Sequence, residues 1–231
     1  MNLLIIRPQP GADATAALAH KAGITAIAIP LFEVRPLPWR VMSPTDYDAL
    51  IFTSANAPRH GGDALAVLRG LPVYAAGNGT AKSARAAGFG VIWTGTMGAD
   101  AVIAQAQMDR NLRLLWLTGR HHHDVNAPGD MSIDVHSVYE SVQLAAPQSL
   151  IENLSRPQMT ALHSARAAQH FCTICEAHGI DKSTIAIVSF SSEISNSVGL
   201  GWAESLIADA PNDAALLAKA KSYFTNTHRG P

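Results

Sequence analysis

A two-domain α/β protein built on parallel sheets is what this sequence predicts, on three observations. Short apolar runs alternate with Ala-rich helical stretches. Most runs end in a turn of small polar residues, and two extended segments, at 34–39 and 139–144, interrupt the rhythm.

Leu3-Leu4-Ile5-Ile6 reads as the first strand. Pro8-Gln9-Pro10-Gly11 breaks it, and Asp13 is placed to cap a helix that carries Ala14, Ala17, Leu18 and Ala22 on one face and ends at Gly23. A second β-rich run, 24–31, completes strand, helix, strand, the unit that builds parallel sheets. Val34-Arg35-Pro36-Leu37-Pro38-Trp39 has prolines at alternate positions, which suits an extended connector and not a helix or a central strand.

From Tyr47 the alternation restarts with a strand at 49–53, a helical stretch at 57–68 interrupted by Gly61-Gly62, a strand at 73–76 and a helix from Thr80 to Gly88. Strand 91–94, helix 99–108 and strands 112–117 and 133–139 complete a sheet domain. Beyond the second connector come strand 160–162, helix 165–177, strand 185–189 and helix 213–224, too few for an independent sheet. The opening strand-helix-strand segment is therefore expected to join them. The first domain is expected at 1–35 and 145–231, discontinuous, the second at 41–137, and two linkers at 36–40 and 138–144.

A weak internal repeat supports two related halves. Ala49–Asn56 resembles Met159–Arg166, Val73–Thr80 resembles Ile185–Ser192, and Leu3–Pro8 resembles Leu114–Arg120.

Composition narrows the function. Seventeen Lys and Arg against eighteen Asp and Glu give a net charge of -1, so no broad basic field exists for nucleic acid or an anionic membrane. The opening apolar run is too short for a signal peptide or a membrane span, and two cysteines, Cys172 and Cys175, make no disulfide framework. A cytoplasmic protein is expected.

In open α/β sheets ligands sit beyond the carboxyl ends of the strands. Thr53, Ser54 and Asn56 lie at such an end, offering short donors and a capped helix start suited to a carboxylate or phosphate; ordinary helix capping uses the same residue types. Gly77-Asn78-Gly79-Thr80-Ala81-Lys82 fails as a dinucleotide fingerprint, which needs glycine at Lys82. It fails as a P-loop, which needs glycine at Ala81 and Ala76. What remains is a glycine-permitted turn that lets backbone approach a ligand. His121-His122-His123-Asp124 lacks the separated ligand pairs of a metal site, and Cys172 and Cys175 share a helix face with Ala168 and Phe171, as buried cysteines do. No nucleophile elbow is present, since Thr53-Ser54-Ala55 lacks flanking glycines. Tyr139, on the second connector, could reach a ligand as a proton donor; a half-buried strand aromatic is its bland alternative.

Taken in order, these segments resemble the uroporphyrinogen-III synthase family. Ile6-Arg7-Pro8 is similar to its strand-Arg-Pro start, and Tyr47–Ala57 to its aspartate-strand-Thr-Ser-x-Asn-Ala turn. Ala76–Ala81 is similar to its Gly-x-x-Thr-Ala turn, Gly119-Arg120 to its strand-Arg-Gly segment, and Val138-Tyr139-Glu140 to its Val-Tyr connector. Departures gather in the last third: His163-Ser164-Ala165 replaces a second Thr-Ser turn, His121 stands where glycine should follow Arg120, and Ser189–Glu193 replaces another Gly-x-x-Thr-Ala turn.

The resemblance implies two flavodoxin-like domains with parallel sheets, joined by a two-stranded linker. It implies a cyclising lyase of heme and porphyrin (tetrapyrrole) biosynthesis that closes hydroxymethylbilane into uroporphyrinogen III, without metal or organic cofactor. A monomer that neighbours the upstream bilane-producing enzyme goes with it. The implied substrate-binding residues are Arg7, Pro8, Thr53, Ser54, Ala55, Asn56, Gly77, Asn78, Gly79, Thr80, Arg120, Ser164, Ser189 and Ser191, with Tyr139 as the catalytic donor. The alternatives left by the residues are a non-catalytic two-domain protein that binds an anionic small molecule, and a nucleotide-dependent transferase disfavoured by the glycine spacings.

Overall fold

The computed structural model describes residues 2–40, 43–95, 98–156 and 158–227. Val41, where the second domain is expected to begin, lies outside them. In chain order the elements are β1 (Leu3–Ile5), α1 (Gly11–Lys21), β2 (Ala26–Ala28), β3 (Phe32–Pro36), β4 (Ala49–Phe52), α2 (Asn56–His60), β5 (Val73–Ala76), α3 (Asn78–Ala86), β6 (Val91–Gly95), α4 (Ala99–Met108) and β7 (Arg113–Gly119). They continue with β8 (Ser132–Gln143), α5 (Gln148–Leu154), β9 (Gln158–Leu162), α6 (Ala165–Ala177), β10 (Ile185–Ser189), α7 (Ser192–Asn196), β11 (Glu204–Ile207) and α8 (Asp213–Thr227). Among the described residues no helix is long and apolar enough to cross a membrane.

The chain forms two compact units, Met1–Glu33 with Val142–Pro231, and Val34–Ser141. The first contains a sheet ordered β2-β1-β9-β10-β11, which in chain order is the 2-1-3-4-5 arrangement of flavodoxin-like sheets. The second sheet runs β3-β8-β7-β4-β5-β6. Setting β3 aside, each strand of the second sheet has a counterpart at the same place in the first, and the three repeated segments fall on matching pairs: β4 with β9, β5 with β10, β7 with β1. The sheets share one spatial order entered by the chain at different strands.

Sequence explains both layers of each unit. Strands buried on both faces read as unbroken apolar runs, and their side chains alternate between the two sides. Leu3 and Ile5 pack with Ala12 and Ala19 of α1 and Leu216 and Ala220 of α8, whereas Leu4 and Ile6 pack with Leu150 of α5 and Phe171 of α6. In the second unit Leu50 and Phe52 meet Ala57, Ala81 and Ala84, and Ala49 and Ile51 meet Val102, Ile103 and Ala106 of α4. β3 and β8 are paired, with Leu37 donating to the Val138 carbonyl and Leu144 to that of Leu31, so the two run antiparallel. The prolines of this segment are tolerated because β3 is an edge strand.

Several expectations are corrected. α1 starts at Gly11 with Pro10 as its N-cap residue, so Asp13 is in the first turn; there it exchanges hydrogen bonds with the Gln9 side chain, at 2.8 and 3.2 Å. The run 24–31 is strand only over Ala26–Ala28, although Ile29 and Leu31 still donate to Ile5 and Ile6 carbonyls; Pro30 between them has no N–H for the ladder. The sheet that looked short of strands gains β11, a half-polar edge strand, beside β10.

Asp48, just before β4, ties that strand to the start of β7. Its carboxylate accepts from the Leu112 and Arg113 N–H groups at 3.0 and 2.9 Å and pairs with the Arg113 guanidinium at 2.6 Å. The Arg113 hydrogen bond is the largest influence on its pKa, and together with the two N–H donors it outweighs burial and holds the carboxyl below its usual range. Asp48→Ala is expected to lower unfolding free energy by about 2 kcal/mol, the range for hydrogen bonds to a charged acceptor, measured by urea denaturation. Because the folded pKa is depressed, the stabilisation is full above the unfolded carboxyl pKa of about 3.9 and is lost as pH falls through the folded value. A difference between wild type and variant that persists at still lower pH would count against this origin.

Candidate active site

In the second sheet the connections reverse direction between β7 and β4, and the ends of those strands should therefore frame a ligand crevice. A cavity of about 450 Å³ opens there, within the size range of small-molecule sites. Thr53 and Ser54 follow β4, Trp116 and Thr118 come from β7, His121–Val125 form the loop after it, and Tyr139 comes from β8. Gly98, Ala99 and Asp100 close the side at the start of α4. The Trp116 indole N–H donates to Thr53 Oγ1 at 3.1 Å, leaving the Thr53 proton free to be donated elsewhere.

Tyr139 is brought into this cavity by a break in register. Thr118 pairs with Ser137 and Gly119 with Tyr139, so Val138 is one residue extra on β8. A bulge of this kind re-aims the side chain beside it. The Tyr139 ring lies directly over Gly119, where a Cβ would meet its Cε2 and Cζ at 2.7 Å. No residue but glycine leaves that space.

Burial pushes the Tyr139 phenol above its ordinary pKa, against the smaller opposite pull of its hydrogen bond with Ser54. The His60 ring, 6.4 Å away between centroids, is pushed toward the neutral form by burial and then by Arg59. The phenol is thus a lasting hydrogen-bond donor.

A family model described as uroporphyrinogen-III synthase HemD matches residues 13–218. The chain belongs to the uroporphyrinogen-III synthase family. Its fold is similar to the crystal structure of uroporphyrinogen-III synthetase from Helicobacter pylori, with a TM-score of 0.66 at 18% identity over 96% of this chain and 100% of that one. It is similar as well to a mutant uroporphyrinogen III synthase from the extremely thermophilic bacterium Thermus thermophilus, with a TM-score of 0.55 at 14% identity over 100% of both chains. No curated protein sequence matches the chain significantly.

Of the residues that the family resemblance nominates, Thr53, Ser54 and Tyr139 line one cavity. Asn56 opens α2, but the helix runs only five residues to Gly61, with Ala55 as an uncapped N-cap residue, so the expected dipole end is one turn of helix. Ser54 fills the capping role instead, its Oγ accepting the Asn56 N–H at 3.2 Å. Gly77, at φ 96°, starts the longer α3, whose first residues are Asn78, Gly79 and a buried Thr80. Gly79 borders a separate groove with Arg59 and Lys82. Arg120 is exposed and paired with Glu140 at 2.8 Å.

At the matching strand ends of the first unit, after β1 and β9, the chain's own charged side chains meet. Arg7 Nη1 reaches Asp213 Oδ1 at 3.2 Å and Thr15 Oγ1 at 3.4 Å, and the buried His163 places Nε2 3.3 Å from the same Asp213 oxygen. Burial works against the Asp213 carboxylate, but His163 and Arg7 outweigh it and hold its pKa below the usual range. Pro8 has its carbonyl on the Ala12 N–H. Ser164 and Ser191 cap α6 and α7, and the fully buried Ser189 hydroxyl lies 3.0 Å from the Ser191 carbonyl. In this unit the polar turn residues are engaged in local structure.

Sequence reasoning named Gly119 only as part of the Gly119-Arg120 segment and His122 only in a histidine run set aside as a metal site, and gave neither of them, nor Trp116, a role in the site. A glycine closing an apolar strand is the one local signal available, since it often marks close approach of another group. Among the described residues no cluster of His, Cys, Asp or Glu side chains could hold a metal ion. Cys175 is buried, as its helix face suggested, and burial drives its thiol pKa to about 12.

Gly119→Ala is expected to push the Tyr139 ring outward, toward water. Its phenol pKa should then fall back toward the ordinary value of about 10, which alkaline ultraviolet titration reads with Tyr139→Phe as the reference. A Tyr139 titration identical to wild type would mean that the ring has room to spare.

Proposed function

We infer that this chain closes hydroxymethylbilane into uroporphyrinogen III, with loss of water and inversion of the last ring. The family membership supports the reaction. The observation that carries its location is the crevice at the reversal point of the second sheet, where a protonated phenol and small hydroxyls converge.

The substrate is a flexible chain of four pyrroles bearing many carboxylates, and it cyclises unaided without inversion. The task is therefore to fold the bilane so that ring D attacks through its substituted carbon, giving a spiro intermediate that reopens and recloses. Work of this kind is mainly positional, and holding reacting groups in place is worth several kcal/mol, up to about 7–11 in the best intramolecular cases. Thr53, Ser54 and nearby N–H groups are the donors for one or more carboxylate arms. Tyr139, kept protonated by burial, hydrogen-bonds the departing hydroxyl. Walls supplied by Trp116 and Val125 shelter the azafulvene cation from water. A monomer in the cytoplasm, receiving the bilane from the enzyme that makes it, completes the reading.

Incubated with hydroxymethylbilane, the protein is expected to yield mainly the type III isomer, scored by oxidation and chromatography of the porphyrins. Type I product alone, or bound bilane without turnover, would overturn the reading. Tyr139→Phe is expected to slow turnover about ten- to a hundredfold and to leave residual activity; an unchanged rate removes Tyr139 from catalysis.

A further inference from the structure

The reaction needs one proton delivered and one collected. The C–O bond breaks with its electron pair on oxygen, which takes a proton and leaves as water, while the pyrrole nitrogen lone pair of that ring fills the methylene carbon. Ring D first bonds that methylene through its substituted α-carbon, which carries no hydrogen. The spiro intermediate then breaks that carbon's bond to the methylene of ring C, and ring D's other α-carbon bonds the freed methylene, sheds its hydrogen as a proton and restores the pyrrole. Nothing is oxidised or reduced. Tyr139 is poorly suited to both transfers, because its surroundings disfavour the phenolate that would form on giving up its proton.

Beside it stands an imidazole of fixed orientation. His122 Nδ1 lies 2.9 Å from the Gly119 carbonyl oxygen. A carbonyl can only accept, so Nδ1 carries the hydrogen, and in the neutral ring Nε2 is left with its lone pair. The ring is also packed edge-on against Trp116, with centroids 5.4 Å apart. It lines the same cavity as Tyr139, Thr53 and Ser54. Gly119 thus serves two groups, accepting from His122 through its carbonyl and making room for Tyr139 above its Cα.

We propose that His122 is the proton-transfer group of this site: it gives the Nε2 proton to the departing hydroxyl, and the freed Nε2 then takes the proton from ring D. This assignment rests on the synthase reading above. The imidazole ends the cycle as it began, so no co-reactant is consumed. The other charged or titratable groups lining the cavity are Asp100, His121, His123, Asp124 and Tyr139.

The test is turnover of hydroxymethylbilane by the full chain as a function of pH. Because the cycle starts from the protonated ring, kcat/KM of the wild type should fall as rising pH removes that proton. His122→Asn can keep the hydrogen bond to Gly119 without a titrating ring; it should lower kcat about ten- to a hundredfold, with little change in KM, and abolish that fall. Added imidazole should restore part of the rate to His122→Ala, which a purely structural role would not allow. A His122→Asn enzyme with wild-type kcat overturns the assignment. So does a pH fall that survives in His122→Asn but disappears in His121→Gln or His123→Gln. Failure of the wild type to make type III isomer would instead count against the synthase reading itself.

Discussion

Helices cover both faces of each sheet, and that constraint governs where this protein can do chemistry. The central strands are buried side to side, as in Leu50-Ile51-Phe52 and Ile185–Val188. Polar groups for a ligand can then be shown only where strands end. Among those ends, the reversal of winding leaves one gap per sheet, from which the connections after the two flanking strands lead away in opposite directions. In the second unit the gap lies between Thr53 and Thr118, and the candidate site follows from it.

The two gaps have been used differently. In the second unit the residues facing the gap are short and leave a cavity, with the aromatic groups of Trp116, His122 and Tyr139 around it. In the first unit Arg7, Asp213 and His163 close on one another, so charge is satisfied within the chain. A half-buried Arg–Asp pair that also touches Thr15 and an imidazole is costly to break, because each member left behind would be a desolvated, unmatched group. The imperfect repeat in the sequence is the trace of this divergence: His163-Ser164 replaces Thr53-Ser54, and the His163 ring packs against Phe190 and Asp213.

Architecture was legible in the sequence wherever burial dictates composition. Apolar runs marked β1, β4, β7 and β10, β9 was marked only over 160–162 because Gln158 and Thr160 interrupt its pattern, and the repeat among these strands anticipated the two related halves. β11 was not legible, because an edge strand with Glu204 and Ser205 carries no apolar demand. The shortness of α2 was signalled by Gly61-Gly62, yet its consequence for the Asn56 turn depended on where the helix stops. Thr53, Ser54 and Tyr139 could be nominated from strand ends and resemblance. Gly119 and His122 could not be connected to Tyr139, since their meeting depends on a bulge at Val138 and on a contact between neighbouring strands that spacing alone does not encode.

The shared strand order, entered at different points, has a consequence for synthesis of the chain. All strands of the second sheet except β3 are contiguous in sequence, from β4 to β8, so every pairing within that set is available once β8 has been made. The first sheet is different: β1 and β2 emerge first, and β1 must wait for β9, more than half the chain later, before its other edge is paired. Long waits of this sort slow folding and leave an apolar edge open to unwanted pairing. The nascent chain therefore carries its vulnerable piece ahead of the inserted unit, whose strands can pair first.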